Sequence, residues 1–431
     1  MSFSPALTLY RALSWVAGAG AGAWRDARAR RGKEDAARMG ERYARYGAAR
    51  PAGALVWLHA ASIGESGVAL TLIEALSARD PSLSFLLSTG TRTSAELVAR
   101  RAPPRTTHVY APLDRPDVVR RFFDHWRPDL GVFVESEVWP NLILDAHARR
   151  IPLALVNARM SPKSLQQWRS LPAASQRLLN AFAFVSAADA RTAAALSDLR
   201  GQPVRALGNL KLAAPAPRID AQSRAALAAE MGARPVWLAA STHPGEDEIA
   251  LAAHAQLRRM ADDALLILVP RHPDRGEALA HLAAGAPRRS QDRRIGAAPV
   301  YVADTLGELA MLYELAPVAL VAGSLLPHLK GHNPVEPAKL GSAMITGPFV
   351  ESFQDLFDEL FAAGGAATAR NADELAQAVA RLWTDEPARV RQLDAARQVM
   401  AKGAEAAEQT LAALQALLPA RAEPRAADAS A

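Results

Sequence analysis

The chain has 431 residues, and 50% of them are hydrophobic, which is enough for two domains with separate cores. It contains no cysteine, so disulfides and thiolate metal sites are excluded. A net charge of +6 favours an anionic partner: nucleic acid, an acidic membrane surface or a phosphorylated substrate. Nucleic acid is the least favoured of the three, because aromatic residues are sparse and no basic run is interleaved with them.

The N-terminal segment is apolar but short for a membrane span. Arg11 interrupts it, and the uncharged run that follows covers only residues 12–24. Basic residues within 25–33 come after the apolar part, whereas a signal peptide carries its charges first. We expect a membrane-associated helix, with the basic residues on the cytoplasmic side. Three aromatic side chains are expected near the lipid headgroups, namely Tyr10, Trp15 and Trp24. The alternative is a first helix that is buried against its own domain.

From residue 55 onward, short apolar runs alternate with helical patterns, which is typical of a parallel sheet with helices on both faces. The strands predicted in the first half are 55–58, 84–88, 130–134, 153–156 and 183–186. Those predicted in the second half are 236–239, 265–269, 300–302, 318–321 and 343–345. The pattern therefore predicts an α/β fold with two doubly wound parallel sheets.

These elements predict how the chain divides into domains. The predicted parts are a membrane-associated helix and basic segment (1–48), a first α/β domain (49–210), a linker (211–234), a second α/β domain with terminal helices (235–418) and a disordered tail (419–431). The terminal helices are expected from about residue 366, where the sequence becomes rich in alanine, and the tail from Pro419 is expected to be disordered.

The stretch 318–348 is the strongest candidate for ligand binding. An apolar run and a loop lead to Asn333, a favoured N-cap, and to Pro334, which suits the first position of a helix. Glu336 has the spacing of a capping-box carboxylate, and the helix is expected to end near Gly341. Free N–H groups at this helix start would suit a phosphate. The alternative is a cap with a purely structural role.

Other polar motifs follow predicted strands. Capping-box spacing occurs three more times, at 62–65, 93–96 and 305–308. Glu135 and Glu137 follow another strand, but in an extended segment they point to opposite faces, so joint metal ligation is not expected. Arg271 and His272 follow a strand directly. A guanidinium in that place suits a phosphate, although a surface loop would also tolerate both residues.

Eight motifs resemble, in order, those of the bacterial 3-deoxy-D-manno-octulosonic acid (Kdo) transferases. They read HAASIGES, ESEVWPN, NARMSPKS, GNLK, STHPGEDE, LVPRHPDR, DTLGEL and GHNPVEP, and they cover about residues 43–349. The resemblance implies two Rossmann-like domains facing across a cleft, which is the GT-B glycosyltransferase architecture. It also implies an N-terminal anchor at the cytoplasmic face of the inner membrane. The implied donor is CMP-Kdo, and the implied acceptor is the phosphorylated lipid A precursor, a tetraacylated disaccharide bisphosphate; no cofactor is implied.

The resemblance also implies roles for individual residues. Glu65 matches the proton acceptor of the family, and Glu135 and Lys211 match residues that stabilise the transition state. The matching CMP-binding residues are Pro270, Arg271, Leu306, Gly307, Glu308, Asn333, Pro334, Val335 and Glu336. The chain departs from the family pattern at 328–330, which reads His-Leu-Lys where many relatives have an arginine followed by a glycine pair. This departure leaves the role of Lys330 toward the donor open.

The implied chemistry agrees with these residues. Inversion at a sugar carbon needs one carboxylate that removes the proton of the attacking hydroxyl, and Glu65 can be that base. CMP leaves as a phosphate monoester and needs no general acid, while Arg271 and the helix start at Asn333 can meet its charge. No metal is expected, because a single phosphate needs little neutralisation and the sequence has no convincing Asp-x-Asp motif.

Two other functions remain compatible with the sequence. One is a different GT-B enzyme, either a transferase for another nucleotide sugar or a nucleotide-sugar epimerase, since the fold alone does not separate them. The other is a basic membrane-binding scaffold without catalysis, which would leave the carboxylates at the strand ends unexplained.

Overall fold

The computed structural model describes residues 4–15, 35–135, 138–214, 216–217, 219–291 and 294–419. The chain forms two compact units, each with its own parallel sheet. The first unit contains Met1–Ala214 and Lys402–Ala431, and the second contains Pro215–Ala401.

The first unit is built on a sheet of seven parallel strands in the order β3-β2-β1-β4-β5-β6-β7. The strands are β1 (Leu55–Ala60), β2 (Ser84–Thr89), β3 (Thr106–Tyr110), β4 (Leu130–Val134), β5 (Leu153–Ala158), β6 (Phe184–Ala187) and β7 (Arg205–Ala206). Every residue of the central strands β1, β4 and β5 is buried, as expected for a sheet that is covered on both faces.

Helices cover both faces of this sheet. They are α1 (residues 5–15), α2 (Ile63–Arg79), α3 (Arg92–Arg101), α4 (Pro116–Trp126), α5 (Pro140–Ala148), α6 (Pro162–Arg169), α7 (Pro172–Leu179) and α8 (Ala190–Arg200), with 3-10 turns at Ala36–Tyr43 and Leu210–Ala213. Alternate residues of β1 fill two core layers: Leu55 and Trp57 pack with α4, whereas Val56 and Leu58 pack with α2.

The second unit repeats this plan with six parallel strands in the order β10-β9-β8-β11-β12-β13, which is the Rossmann order. The strands are β8 (Val236–Thr242), β9 (Leu265–Pro270), β10 (Val300–Val302), β11 (Val318–Val321), β12 (Ala343–Thr346) and β13 (Ala366–Thr368). The helices are α9 (Ala221–Met231), α10 (Glu246–Leu257), α11 (Gly276–Leu282), α12 (Leu309–Leu315), α13 (Val335–Leu340), α14 (Gln354–Ala363), α15 (Ala372–Thr384) and α16 (Glu386–Leu417). Short 3-10 turns lie at Pro273–Arg275, Arg289–Gln291 and Glu351–Phe353.

The predicted fold class, two Rossmann-like parallel-sheet domains, is confirmed, and each predicted strand is present. Three strands were not predicted. Strand β3 reads TTHVY and buries only its last two residues, and β7 consists of two exposed residues. Strand β13 reads AAT and lies where an alanine-rich helix was expected, so that prediction is wrong at Ala366–Thr368. These strands lack a continuous apolar run because they lie at or next to a sheet edge.

The division into units differs from the predicted one at two places. The predicted linker 211–234 contains α9, which buries Leu227 and Met231 in the core of the second unit. The predicted second domain included all of the C-terminal helices, but α16 belongs to the first unit from Lys402 onward. There Ala406, Leu411 and Leu414 lie in the core layer on the α2 side of the sheet. The predicted tail lies outside the described residues from 420 onward.

Helix α1 packs against the first unit. Leu7 is 7% exposed within the core, and the Tyr10 hydroxyl donates a hydrogen bond of 2.9 Å to Asp114. Tyr10 is thus bonded to the first unit, and residues 5–15 pack as the alternative of a packed first helix predicts. Leu9, Leu13 and Trp15 remain exposed. Within the ranges described, no helix is both long enough and apolar enough to cross a membrane. Trp24 and the basic segment 25–33 fall outside those ranges.

Candidate active site

Glu65 lies at the first turn of α2, directly beyond the carboxyl end of β1. Its side chain accepts hydrogen bonds from the Ala61 N–H at 2.6 Å and from the Ser62 N–H at 3.2 Å, both on Oε2. The Ser62 hydroxyl in turn accepts from the Glu65 N–H, so the predicted capping box is confirmed. Only 6% of Glu65 is exposed. The box therefore fixes a carboxylate at the end of the first strand of the sheet.

Glu135 and Lys211 form an ion pair in the same unit, with 2.6 Å between Lys211 Nζ and Glu135 Oε1. Glu135 follows β4 directly and has a left-handed backbone with φ of 60°, which is uncommon for a residue other than glycine. Lys211 lies in the 3-10 turn after β7, which Asn209 caps by accepting the Lys211 N–H. The turn and the strand end together aim the ammonium group at the Glu135 carboxylate.

Lys211 also lies against the first turn of α2. A Cβ atom placed on Gly64 would lie 3.5 Å from Lys211 Cε and 3.6 Å from Nζ. The three residues predicted as catalytic therefore occupy one region of the first unit, with Lys211 bonded to Glu135 and packed beside the neighbour of Glu65. Ser136 and Glu137 of the same motif fall outside the described residues.

One polar residue of this region was not singled out from the sequence. Asn157, in the motif NARMSPKS, is 1% exposed and has φ of 54°. Its amide donates to Glu135 Oε1 at 3.2 Å and accepts from the Leu210 N–H at 2.8 Å. In the sequence, Asn157 is a polar residue directly after an apolar run. That pattern alone is weak evidence for a functional residue.

In the second unit, Pro270 ends β9 and Arg271 follows it. The Arg271 N–H donates to the Thr242 carbonyl at 2.9 Å, which ties the segment to the end of β8. The Arg271 side chain is exposed, and its guanidinium has no hydrogen bond or ion pair to any residue in the described ranges. This placement leaves a cation facing solvent at the carboxyl end of the sheet.

The segment Leu306-Gly307-Glu308 precedes α12, and its carboxylate is bonded within the second unit. Glu308 accepts from Arg289 at 2.7 Å and from the Thr305 hydroxyl, and the neighbouring Arg289 guanidinium lowers the pKa of this carboxyl. Leu306 is 84% exposed, and Gly307 has φ of 86°, a conformation that favours glycine. Leu306 and the backbone of Gly307 are therefore the accessible parts.

Helix α13 starts one residue later than predicted, so Pro334 and not Asn333 occupies its cap position, and the predicted N-cap is wrong. The Asn333 side chain still accepts from the Val335 N–H at 3.1 Å. Among the hydrogen bonds of the described residues, Glu336 makes none back to Asn333, so the predicted capping box is wrong here. Burial raises the pKa of the Glu336 carboxyl. The predicted helix end at Gly341 is confirmed, with φ of 86°.

Two further predicted capping boxes are also wrong. Thr91 caps α3, and Glu96 pairs with Arg92 at 3.1 Å instead of returning to Thr93. Glu308 itself occupies the cap position of α12, which has no side-chain cap bond. In both cases the helix begins away from the residue that the spacing indicated, and that shift removes the reciprocal bond.

A buried carboxylate holds the loops of the second unit together. Glu246 is 0% exposed and accepts four backbone N–H groups, from His243, Gly323, Ser324 and Leu325, at 2.8 to 3.1 Å. It thereby joins the loop after β8 to the loop after β11. These four donors satisfy a carboxylate that has no access to solvent.

His243 and His332 share a single hydrogen bond beside these loops. Their Nε2 atoms are 3.1 Å apart and the rings stack, so one nitrogen donates and the other accepts. The His332 ring lies on Gly323, where a Cβ atom would come within 2.5 Å of Nε2. Burial, with the charges of His243 and Arg271, lowers the pKa of His332 to about 4. His332 is therefore neutral at pH 7.

The described residues contain no group of three or more histidine, cysteine, aspartate or glutamate side chains that could hold a metal ion. The chemistry that the geometry offers is therefore a fixed carboxylate and a paired lysine in the first unit, and an open guanidinium with a buried carboxylate in the second.

Known proteins share this fold and sequence. Residues 37–214 match the family model of 3-deoxy-D-manno-octulosonic-acid transferase (kdotransferase). A probable 3-deoxy-D-manno-octulosonic acid transferase of Arabidopsis thaliana is 36% identical, covering 76% of each chain. The 3-deoxy-D-manno-octulosonic acid transferase of Haemophilus influenzae is 33% identical, covering 88% of this chain and 91% of that one. The crystal structure of a glycosyltransferase from Rickettsia africae has a TM-score of 0.55 at 11% identity, covering 85% of this chain and 99% of that one.

The two Rossmann-like sheets and this structural similarity define the fold as that of the GT-B glycosyltransferases. Since relatives above 30% identity extend over most of the sequence, the chain belongs to the family of 3-deoxy-D-manno-octulosonic acid (Kdo) transferases. It is a glycosyltransferase of lipopolysaccharide biosynthesis.

Acid should destabilise the second unit through His332. The folded-state pKa of about 4 lies below the ordinary value of about 6.5, so the unfolded chain takes up this proton first as the pH falls. The contribution to stability is complete above about pH 6.5 and is lost as the pH falls towards 4. Substituting His332→Gln should therefore flatten the fall in the urea midpoint of unfolding over this window.

The matched control is His281→Gln, because His281 lies on α11 of the same unit and is exposed. The urea midpoint of His281→Gln should fall with decreasing pH as steeply as that of the unmodified protein. If the urea midpoint of His332→Gln fell equally steeply, protonation of His332 would not be a cause of the loss of stability.

Proposed function

We propose that this chain transfers Kdo from CMP-Kdo to the tetraacyldisaccharide bisphosphate precursor of lipid A, with inversion at the anomeric carbon and without a metal ion. The proposal rests chiefly on one observation: a fixed carboxylate, Glu65, lies at a strand end, and the lysine of the Lys211–Glu135 pair packs on Gly64, the residue before it. The choice of Kdo as the transferred sugar follows from family membership, since the named relatives are Kdo transferases.

Glu65 acts as the general base. The acceptor hydroxyl attacks the anomeric carbon, its proton passes to the Glu65 carboxylate, and the bond from that carbon to the phosphate oxygen of CMP breaks. The N–H groups of Ala61 and Ser62 hold Oε2 and orient the carboxylate before the reaction. One carboxylate thus serves both as helix cap and as proton acceptor.

Lys211 and Glu135 stabilise the transition state. Lys211 places a positive charge beside the first turn of α2, where negative charge on the donor's carboxylate or phosphate can be met. Glu135 holds that ammonium at 2.6 Å and is itself only 12% exposed at its side chain. The pair is preorganised, so the charge need not be repositioned during transfer.

The second unit binds the CMP portion. Arg271 offers an exposed guanidinium to the phosphate, and Asn333 lies exposed directly before the start of α13. Glu336 is a half-buried carboxylate that suits the ribose hydroxyls as an acceptor. Because CMP leaves as a phosphate monoester, Arg271 can meet its developing charge without a metal ion.

The acceptor lipid agrees with the N-terminal helix. Leu9, Leu13 and Trp15 of α1 are 59%, 56% and 55% exposed, although the helix is anchored on the first unit through Leu7 and Tyr10. Exposed apolar side chains on a docked helix suit shallow contact with a bilayer. We propose that they rest on the cytoplasmic face of the inner membrane.

Substituting Glu65→Gln separates the base from the cap. Glutamine keeps an acceptor for the Ala61 and Ser62 N–H groups, so stability should change by at most about 1 kcal/mol. It cannot take the proton, so the rate of Kdo transfer should fall roughly 10²- to 10⁴-fold with CMP affinity unchanged. Transfer is measured by mass spectrometry of the lipid product.

The control for Glu65 is Glu96→Gln, since Glu96 lies on the next helix of the unit and makes a surface pair with Arg92. It should leave turnover unchanged. Near-normal turnover in a folded Glu65→Gln variant that still binds CMP would leave Glu65 as a helix cap alone.

Substituting Arg271→Ala should weaken CMP binding. Charge-assisted bonds contribute roughly 1.5–3 kcal/mol, which corresponds to a loss of about 10- to 100-fold in affinity by calorimetry. Glu336→Ala should also weaken binding, through lost acceptors for the ribose. The exposed Arg259 of the same unit provides the control, as Arg259→Ala lowers the net charge equally. Unchanged CMP affinity in both site variants would remove this half of the proposal.

Replacing Leu9, Leu13 and Trp15 together by serine should reduce binding to anionic vesicles, because the exposed apolar area of α1 is removed. Turnover on detergent-dispersed acceptor should stay within about twofold, since these side chains lie outside the carboxylate site. Leu282→Ser removes an exposed leucine of the second unit and serves as the control. Equal vesicle sedimentation of the triple variant and the unmodified protein would reject the membrane contact.

A further inference from the structure

Asn157 has an unusual backbone for a residue in a buried strand. It lies near the carboxyl end of β5 and is 1% exposed, yet its φ of 54° is left-handed. The pairing of β5 with β6 shifts register between Leu155 and Ala158, so Asn157 lies within a β-bulge. Bulges re-aim a side chain relative to the regular alternation of a strand, and asparagine tolerates this conformation better than most residues. The fold therefore keeps a local irregularity that sets the direction of one amide.

The two ends of this amide have different partners. Its Oδ1 accepts from the Leu210 N–H at 2.8 Å, and its Nδ2 donates to Glu135 Oε1 at 3.2 Å. A backbone N–H can only donate, so the carbonyl oxygen must face Leu210 and the NH₂ group must face the carboxylate. The orientation of Asn157 is thus fixed by chemistry.

The same carboxylate oxygen closes a small network. Glu135 Oε1 also receives the Lys211 ammonium at 2.6 Å, and Leu210, the residue before Lys211, is buried in the core. Asn157 consequently holds the Glu135 carboxylate from one side and the backbone of the Lys211 turn from the other. Three chain segments, after β4, within β5 and after β7, meet at one amide.

We infer that Asn157 is a positioning residue of the transfer reaction, which fixes the Lys211–Glu135 pair in the geometry that faces the first turn of α2. The inference rests on the proposed function, because the roles of Lys211 and Glu135 in transfer belong to that proposal. Asn157 acts through these two residues and is not itself placed at the substrate.

Only asparagine supplies both bonds at this length. Aspartate keeps the acceptor for the Leu210 N–H, but it loses the donor and places a second carboxylate against Glu135. Alanine leaves both the Leu210 N–H and one lone pair of Glu135 without this partner in a buried place. Glutamine adds a methylene to a side chain that is 1% exposed. Asn157→Asp therefore changes the charge of the network with little change in shape, whereas Asn157→Ala removes the connection.

The test is to measure Kdo transfer from CMP-Kdo by full-length Asn157→Asp and Asn157→Ala. Both should lower kcat by about 10- to 100-fold, the size expected for a displaced charged group, with the KM for CMP-Kdo and the affinity for CMP within about twofold. Asn180→Asp is the matched control, because the Asn180 amide also donates once and accepts once, with Arg200, before the amino end of β6. It should keep the kcat of the unmodified protein.

Two readouts distinguish positioning from simple packing. In Asn157→Asp two carboxylates face each other, so they share a proton with a raised pKa, and the pH–rate profile should gain an ionisation that Asn157→Ala lacks. In a double-mutant cycle, Asn157→Ala should cost much less in the Lys211→Ala background than in the unmodified protein, because the group it positions is gone.

The outcomes separate the inference from the proposed function. If Lys211→Ala is slow but both Asn157 variants turn over normally, or if the two effects multiply in the cycle, the positioning role is overturned and the proposed function stands. If both Asn157 variants lose activity only in proportion to a lower melting temperature, Asn157 is structural and the role is likewise overturned. If the unmodified protein does not transfer Kdo from CMP-Kdo, the proposed function fails and the inference fails with it.

Discussion

The direction of the strands is the constraint on which the rest of each unit depends. All strands of a sheet run parallel, so every loop that leaves a carboxyl end lies at the same edge. In the first unit this edge collects Glu65 after β1, Glu135 after β4, Asn157 in β5 and Lys211 after β7. Residues that are distant in sequence thereby become neighbours without any long connecting loop.

Both units place a glutamate at the start of the helix that follows the central strand, but the two glutamates have different surroundings. In each, a glutamate in the first turn of the helix after the central strand accepts backbone N–H groups: Glu65 in the first unit and Glu246 in the second. Glu246 is fully buried and accepts four such groups. These bonds join two loops and give the carboxylate a structural role. Glu65 accepts the Ala61 and Ser62 N–H groups on Oε2, and a lysine lies beside its turn. That difference in surroundings is what separates a loop anchor from a candidate base.

The sequence predicted what continuous apolar runs encode, namely the central strands and the parallel α/β class. It did not predict β3, β7 and β13, because edge strands need no such run. The capping box at Ser62–Glu65 was predictable since the polar pair directly follows a strand, whereas the helix starts at Thr91 and Val335 depend on tertiary packing of the loops before them. Asn157 was not predicted because its left-handed backbone results from the bulge in β5. The spacing of polar and apolar residues in the sequence does not indicate such a bulge.

The last helix imposes an order on how this chain can be made. A ribosome releases the strands of the first unit early, but Ala406, Leu411 and Leu414 of α16, which complete one of its two core layers, are synthesised only after the whole second unit. During translation that layer stays open while the whole second unit is produced. The nascent first unit therefore exposes apolar surface for most of its synthesis, and it is the second unit, the later one in sequence, that has all of its residues available first.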